Sequence, residues 1–285
     1  MLRQLLGEVY SDSMALIRKD LTLEVLSVKY LSRLLKRLGV HNLFIGETSI
    51  KLPDNIKIYV DNEATIDINI PDHYIRKEYL RHPDYIPSKG WIVFDIGAYV
   101  GIYTLYAAKK VGLDGFVASF EPNPLAFRWL LNNIVLNNVR NLKALPFALG
   151  DRSSKMLFYV ARENIGASSF IVNHLMQSPN QYTIANTFTV PMTTLDYVIE
   201  KQVIGKTVTH INLVKIDVEG YEMRVLRGAE KTLSRGLVER FVIEVHKDQV
   251  STKDLVDYLK KFGYNFDKTL GFNHVKDIIY LKLKC

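Results

Sequence analysis

The sequence predicts an α/β fold, a doubly wound and mostly parallel sheet covered by helices on both faces. Three features from residue 91 onward support this. Strand patterns alternate with helical patterns, as successive βαβ crossovers require. The strands, "WIVFDIG" first among them, read as continuous apolar runs, the mark of strands buried on both sides. That first run then passes through two glycines, Gly97 and Gly101, straight into a helix.

The 285 residues are 48% hydrophobic and 24% charged, enough for one large core or for a core with an accessory region. The segment before residue 89 supplies the accessory part. In "SVKYLSRLLKRL", residues 27 to 38, Tyr30, Leu31, Leu34, Leu35 and Leu38 share one helical stripe, with Lys29, Arg33, Lys36 and Arg37 on the other side. Such a basic amphipathic helix packs its stripe on the core with its charges in water, or docks nucleic acid, a membrane or a partner. "SIKLPDNIKIYVDNEATIDINI" alternates Ile56, Ile58 and Val60, then Ile66, Ile68 and Ile70, around turn residues Asp61 and Asn62, as a hairpin does. Pro83, Pro87 and Gly90 then place a boundary near residue 88, with a helical and hairpin region over 1–88 and the α/β domain over 89–285.

Within that domain, "IYTLYAAKKVG" is the first helix, stopping at Gly112, and "GFVASFEP" is the second strand. The next helix, "NPLAFRWLLNNIVLNN", has Asn123 at its N-cap and Pro124 at its first position, with Phe127, Leu130, Leu131 and Ile134 as its apolar stripe. "NLKALPFALG" is a third strand. An excursion from 155 to 192 precedes "INLVKIDVEG", "RFVIEVH" and a final strand pair, "YNFDKTL" and "VKDIIYLKLK".

Composition excludes several function classes. No uncharged apolar run reaches the roughly 18 residues of a membrane span, and "MLRQLLGEVYSDS" lacks the apolar core and cleavage site of a leader, so a cytoplasmic location is expected. The single cysteine is the final residue, Cys285, which leaves no internal disulfide and no cysteine metal cluster. The 37 Lys and Arg against 30 Asp and Glu give a net charge of +7, spread along the chain rather than gathered in a tail.

Ligands of doubly wound sheets lie at the carboxyl ends of the strands, where the strand order reverses. That sets Asp95, Gly97 and Gly101 under the ligand. Gly97 permits a tight turn and close backbone approach, and Gly101 lets the helix open without an intervening side chain. Glu121 ends the second strand 24 residues after Gly97, where a carboxylate accepts from both hydroxyls of a ribose. A nucleoside-containing cofactor is implied. The loop Gly97-Ala98-Tyr99-Val100-Gly101 lacks the third glycine of a pyrophosphate fingerprint, and Asp95 would repel a pyrophosphate while suiting the ammonium of S-adenosylmethionine. S-adenosylmethionine is the expected cofactor.

"FDIGAYVGIYT", "SFEPNP", "ALPFALGD", "VPMTTLD", "VKIDVEGYEMRVLRGA" and "IEVH" resemble, in this order, the FkbM-type S-adenosylmethionine-dependent methyltransferases, over residues 91 to 246. The resemblance implies a Rossmann-like class I methyltransferase sheet ending in an antiparallel strand pair. It also implies O-methylation of a hydroxyl on a sugar, glycolipid or natural product. Carried onto the matching motifs, it sets Asp95, Gly97, Ala98, Tyr99, Gly101, Glu121, Pro122, Asn123, Ala148 and Asp217 around the cofactor. Tyr99 stands where the family's loop usually has asparagine, so this position is expected to act through its backbone.

Asp217 and Glu219 end the fourth strand, and Glu244 and His246 the fifth. If those strands are neighbours, as the family's fold implies, their ionisable groups converge beside the methyl donor. His246 is the expected general base, since its ordinary pKa lies near neutrality, and Glu244 two residues earlier points the same way. Asp217 would hold the substrate, the base or a divalent ion. The alternative for Asp217 and Glu219 is to cap the following helix, and for His246 to be a surface residue at a strand end. No tight histidine or carboxylate spacing marks a metal site, so no metal ligands are assigned; an ion held by Asp217, Glu244 and His246 is the less favoured alternative. "NIGASSF", residues 164 to 170, is either a loop closing over substrate or a plain solvent loop.

Three function classes follow. The leading one is an O-methyltransferase acting on a small-molecule or glycan acceptor. An RNA methyltransferase is the alternative that the charge and the basic helix favour, although its catalytic signatures are missing. The third is a cofactor-binding protein that works by interaction, without turnover.

Overall fold

A seven-stranded sheet forms the centre of the computed structural model, which describes residues 2–37, 49–60, 64–177, 182–271 and 275–284. Helices α1 (Leu2–Ile17) and α2 (Leu23–Arg37) come first, then the antiparallel pair β1 (Ser49–Lys51) and β2 (Lys57–Tyr59). The α/β part runs β3 (Ile92–Ile96), α3 (Ile102–Val111), β4 (Phe116–Phe120), α4 (Pro124–Leu136) and β5 (Leu142–Leu145). The excursion holds β6 (Ala148–Leu149), β7 (Ser154–Ala161), α5 (Val172–Gln177) and β8 (Ile184–Thr193), whose strands form a separate sheet in the order β6-β8-β7. The chain closes with α6 (Leu195–Glu200), β9 (Leu213–Ile216), α7 (Glu222–Arg227), α8 (Glu230–Ser234), β10 (Arg240–His246), α9 (Thr252–Lys260), β11 (Tyr264–Gly271) and β12 (Lys276–Leu283). Among the described residues no helix is long and apolar enough to cross a membrane.

The main sheet has the order β11-β12-β10-β9-β3-β4-β5, with β12 antiparallel to both of its neighbours and the other pairs parallel. The chain builds outward from β3 to β5 and then returns as β9 on the other side of β3, so the order reverses between β3 and β9. Such a reversal leaves a crevice beyond the carboxyl ends of the strands. Both faces are apolar. Phe94, Ile96, Phe120, Val214, Ile216 and Ile243 pack on one side, and Val93, Val117, Leu213, Val242 and Tyr280 on the other. This accounts for the continuous apolar strands.

The first 88 residues differ from expectation in two places. On α2 the buried side runs through Val25, Leu26, Val28 and Lys29, while Leu31 and Leu34 are 38% and 53% exposed. Charge pairing rotates the helix: Lys29 is drawn inward to Asp12 at 2.8 Å and Glu8 at 3.1 Å, and Arg33 meets Glu8 and Asp67. Leu38 and the side chains of Leu35, Lys36 and Arg37 lie outside the described residues. The hairpin sits one strand earlier than expected, with Ile50 opposite Ile58, whereas Thr65–Asn69 forms a wide helical turn. Ile66 and Ile70 are buried there and Ile68 is half out, because a four-residue spacing serves a helix as well as a strand. Asp61 and Asn62 lie outside the described residues.

On α4, Asn123 caps as expected, its side chain accepting from Leu125 N–H, but the buried face runs through Ala126, Leu130 and Asn133, leaving Leu131 43% exposed. Asn133 occupies an apolar position because both ends of its amide are used. Its Oδ1 accepts Tyr59 N–H at 2.8 Å, and its Nδ2 donates to the Val100 carbonyl at 2.9 Å. One turn later Asn137 makes a matching pair with Lys57. The side chains of α4 thus bond β2 as a neighbouring strand would, and hold the accessory region to the sheet.

Candidate active site

Register lines up the functional side chains. Ile96 is level with both Phe120 and Ile216, and Ile216 with Ile243, so the next residues, Glu121, Gly97, Asp217 and Glu244, form one row along the carboxyl edge. Above them lies a cavity of about 590 Å³. Its far walls come from His73, Glu78 and Tyr79 of the accessory region and from Asn164–Ser168, Phe170 and His174 of the excursion. The "NIGASSF" stretch is therefore a wall of the cavity.

At the β3–β4 end, Gly97 has φ +83, and an added Cβ would lie 1.7 Å from the Asp217 carbonyl oxygen, so only glycine lets β3 and β9 close together here. Ala98, Tyr99, Pro122 and Ala148 line the cavity beside it. Glu121 is buried, with its two oxygens accepting the backbone N–H groups of Tyr99 at 2.7 Å and Asn123 at 2.8 Å. Each oxygen keeps a further lone pair. Burial pushes its carboxyl up to about 7, against the pull of those N–H groups and of Lys215. The residues present fit a ribose: a paired acceptor at the edge of an open cavity, otherwise left with a costly buried charge. The Tyr99 backbone N–H is used on Glu121, and its hydroxyl meets Thr65 Oγ1 at 2.9 Å.

Three expected cofactor contacts face elsewhere. Asp95 is fully buried and off the cavity lining, because strand alternation turns it, with Val93, to the α3 side. There it accepts from Thr104 Oγ1 at 2.5 Å and pairs with Lys215 at 3.2 Å. Gly101 is needed for φ +93 and because a Cβ would press within 2.5 Å of Leu130 Cδ1, so its reason is helix packing. Asn123 is a buried cap whose Nδ2 reaches the Ile165 carbonyl and Ser168 Oγ, both at 3.4 Å, so it steadies the excursion wall.

At the β9–β10 end, buried Lys215 donates to the Gly97 carbonyl at 2.7 Å and pairs with Asp95 and, at 3.5 Å, with Asp217. Burial works against its charge, but Asp95 and Asp217 outweigh it and hold the ammonium above its ordinary range. The Tyr79 hydroxyl lies 2.9 Å from Asp217 Oδ2 and 2.7 Å from Glu244 Oε2. Lys276 pairs with Glu244 at 2.9 Å and Glu78 at 3.2 Å. Burial and the adjacent Glu244 carry Asp217 up to about 6, and burial and Glu244 carry Glu78 up to about 7.

His246 is buried, its Nδ1 2.8 Å from Glu222 Oε1 and its Nε2 3.1 Å from Glu219 Oε2. Burial alone would lower its pKa, but Glu219 and Glu222 outweigh it and hold the imidazolium well above its ordinary value. This corrects the expectation of a neutral general base: both ring nitrogens face carboxylates, and the charged form is the stable one. Glu219 does not cap α7; it turns at φ +51 toward two imidazoles, His246 and, at 2.9 Å, His174 Nε2. His174, Tyr79, Lys215 and Glu78 were not singled out from the sequence. His174 sits in the excursion, which carries no periodic signal, and Tyr79 precedes the motif-bearing part. Lys215 alone left a trace, as a charge inside the apolar run "LVKI".

Sheet order, reversed β12 and the cavity at the strand ends place the chain in the class of α/β methyltransferases. A family model for the methyltransferase FkbM domain matches residues 95–266. The chain belongs to this FkbM family and is an S-adenosylmethionine-dependent methyltransferase. It is 27% identical over 207 residues to "Methyltransferase 1" of Beauveria bassiana (strain ARSEF 2860), covering 69% of this chain and 80% of that one. With the "31-O-demethyl-FK506 methyltransferase FkbM" of Streptomyces tacrolimicus it shares 26% identity over 241 residues, covering 76% and 88%. Among solved structures it is similar in fold to the methyltransferase FkbM from Methylobacillus flagellatus KT, with a TM-score of 0.51 and 14% identity, over 77% of this chain and 53% of that one. The chain thus spans about half the length of that protein.

Proposed function

We propose that this chain methylates a hydroxyl of a small-molecule or glycan acceptor, with Glu121 holding the ribose of S-adenosylmethionine and the backbone of Gly97, Ala98 and Tyr99 shaping its bed. Pro122 and Ala148 line the space next to Glu121, and the bound cofactor supplies an activated methyl group on a sulfonium. The observation that carries the reading is the single row from Glu121 to Glu244, which sets a ribose acceptor, Glu121, and a proton acceptor, Asp217, along the edge of one cavity. Asp217 takes the acceptor's proton. It lines the cavity, and a carboxyl raised to about 6 by burial is a better base than an ordinary one. Tyr79 and Lys215 fix its orientation.

The name of the Streptomyces tacrolimicus relative, an O-demethyl compound's methyltransferase, supports oxygen as the atom methylated. Against RNA, the pairing of Lys29 and Arg33 with acids removes two of the charges that favoured it. The test is mass spectrometry of small-molecule, glycan and RNA fractions incubated with the protein and methyl-labelled cofactor. Label in a small molecule or glycan is expected, with Asp217→Asn slowing it by roughly 10² to 10⁴ while keeping S-adenosylhomocysteine binding. Label confined to RNA, or cofactor binding without turnover in any fraction, would overturn it.

A further inference from the structure

We propose that His174, His246 and Glu219 bind one divalent first-row transition-metal ion at the cavity wall. The Nε2 atoms of both histidines point at the same oxygen, Glu219 Oε2, from 2.9 and 3.1 Å, and the donor atoms of the three residues lie within 4.8 Å of one another. Behind each ring stands a carboxylate. Asp248 Oδ2 lies 2.7 Å from His174 Nδ1, and Glu222 Oε1 lies 2.8 Å from His246 Nδ1. Metal-ligating histidines are held in this way, with the far N–H donated to a carboxylate.

The backing carboxylates decide what Nε2 must be. Glu222 has no exposure, so His246 Nδ1 has to donate to it, and Asp248 asks the same of His174. A neutral ring donating from Nδ1 carries a lone pair on Nε2, and two such lone pairs facing one carboxylate oxygen repel it. A positive centre is required between them: a proton on each Nε2, or one dication serving both. Two protons and one dication carry the same charge, so the exchange leaves the surrounding acids balanced. The backbone aims the third ligand, since Glu219 at φ +51 precedes Gly220 at φ +95 and its carbonyl accepts from Ser169 Oγ at 2.6 Å.

Asp217, Glu244 and His246 also have donor atoms that meet within 4.8 Å, but Lys215, Lys276 and Tyr79 already occupy those two carboxylates. The first trio is the stronger site. Two imidazoles and one carboxylate suit Mn²⁺, Fe²⁺, Co²⁺, Ni²⁺ or Zn²⁺ better than Mg²⁺ or Ca²⁺, which prefer oxygen alone. All three ligands line the cavity, so the remaining coordination positions face the acceptor. Metal binding stands on the donor set. Its use, to hold and acidify the acceptor hydroxyl whose proton Asp217 takes, rests on the methyltransferase reading.

The test is calorimetric titration of the chelator-treated full chain with Co²⁺, Zn²⁺ and Mg²⁺, Co²⁺ being followed also by its visible absorption. One Co²⁺ or Zn²⁺ per chain is expected, with Mg²⁺ far weaker. His174→Gln and Glu219→Gln should abolish tight Co²⁺ uptake, and Asp248→Asn should weaken it roughly 10- to 100-fold. S-adenosylhomocysteine binding, measured on every variant, verifies folding and tests the cofactor separately. Neither Co²⁺ nor Zn²⁺ binding to a chain that binds S-adenosylhomocysteine would overturn the site, as would His174→Gln binding Co²⁺ like the wild type. Metal uptake without S-adenosylhomocysteine binding would support the site and count against the cofactor reading instead.

Discussion

Two glutamates on the same cavity are driven in opposite directions by their neighbours. Glu219 faces His246 and His174, and despite burial they hold its carboxyl well below the ordinary range. At Glu121 burial outweighs the two backbone N–H groups that it accepts and the pull of Lys215, and carries it up to about 7. A ribose donates to the ionised form, so binding must first remove whatever proton the empty site holds. Below pH 7 that proton is present and costs affinity; above it the cost is gone. S-adenosylhomocysteine affinity measured by calorimetry should therefore rise between about pH 5.5 and 7.5 and then level off. Glu121→Gln should lose about 2 kcal/mol at pH 7.5, roughly 30-fold, and show a flat profile over the same interval. A wild-type profile that falls as pH rises would exclude Glu121 from the ribose contact.

Elements differ in how plainly they stand in the sequence. The β3–α3–β4–α4 stretch was legible because its signals are local: apolar runs, a turn glycine, and Asn-Pro opening a helix. The inward faces of α2 and α4 were not, since tertiary polar bonds set them. Lys29 is buried because Asp12 waits for it, and Asn133 because β2 needs a bonding edge, and neither partner is near in sequence. The same limit applies to the site. Glu121 and Asp217 follow from strand ends, whereas Asp95 sits at an equally suggestive position and faces α3, and His174 arrives from another element altogether. Asn133→Ala tests the docking of β2. It leaves Tyr59 N–H and the Val100 carbonyl without these partners and should cost about 2 to 4 kcal/mol in chemical denaturation, with faster hydrogen exchange at Tyr59. Asn137→Ala, on the more exposed Lys57 pair, should cost less. Equal costs, or none, would show that β2 is held by its apolar side chains alone.

At the scale of the whole molecule, the cavity concentrates buried charge between the sheet and a wall built from the accessory region, and stability should register that. Glu78, on the accessory side, and Glu121, on the sheet, each stand at about 7 against an ordinary 4.5. A carboxyl raised on folding stabilises fully below its unfolded pKa, and that contribution is lost as pH climbs through the folded value, here between about 4.5 and 7. His246 and His174, raised above 6.5, act in the same direction at higher pH. Glu219 and Glu244 are lowered, so their contribution is present above 4.5 and fades only below it. Between pH 5 and 8 the raised groups are the ones titrating, so the chelator-treated protein without cofactor should melt at progressively lower temperature as pH rises across that range in scanning calorimetry. The double variant Glu78→Gln with Glu121→Gln should shallow the decline below pH 7, leaving there the share of Asp217, raised to about 6, and above pH 7 the histidine-driven part. Saturating S-adenosylhomocysteine should also shallow the slope, because it stabilises the ionised form of Glu121. A melting temperature that climbs steadily from pH 5 to 8 would mean that Glu78 and Glu121 are charged at ordinary pH, and that the cavity is far better solvated than its burial implies.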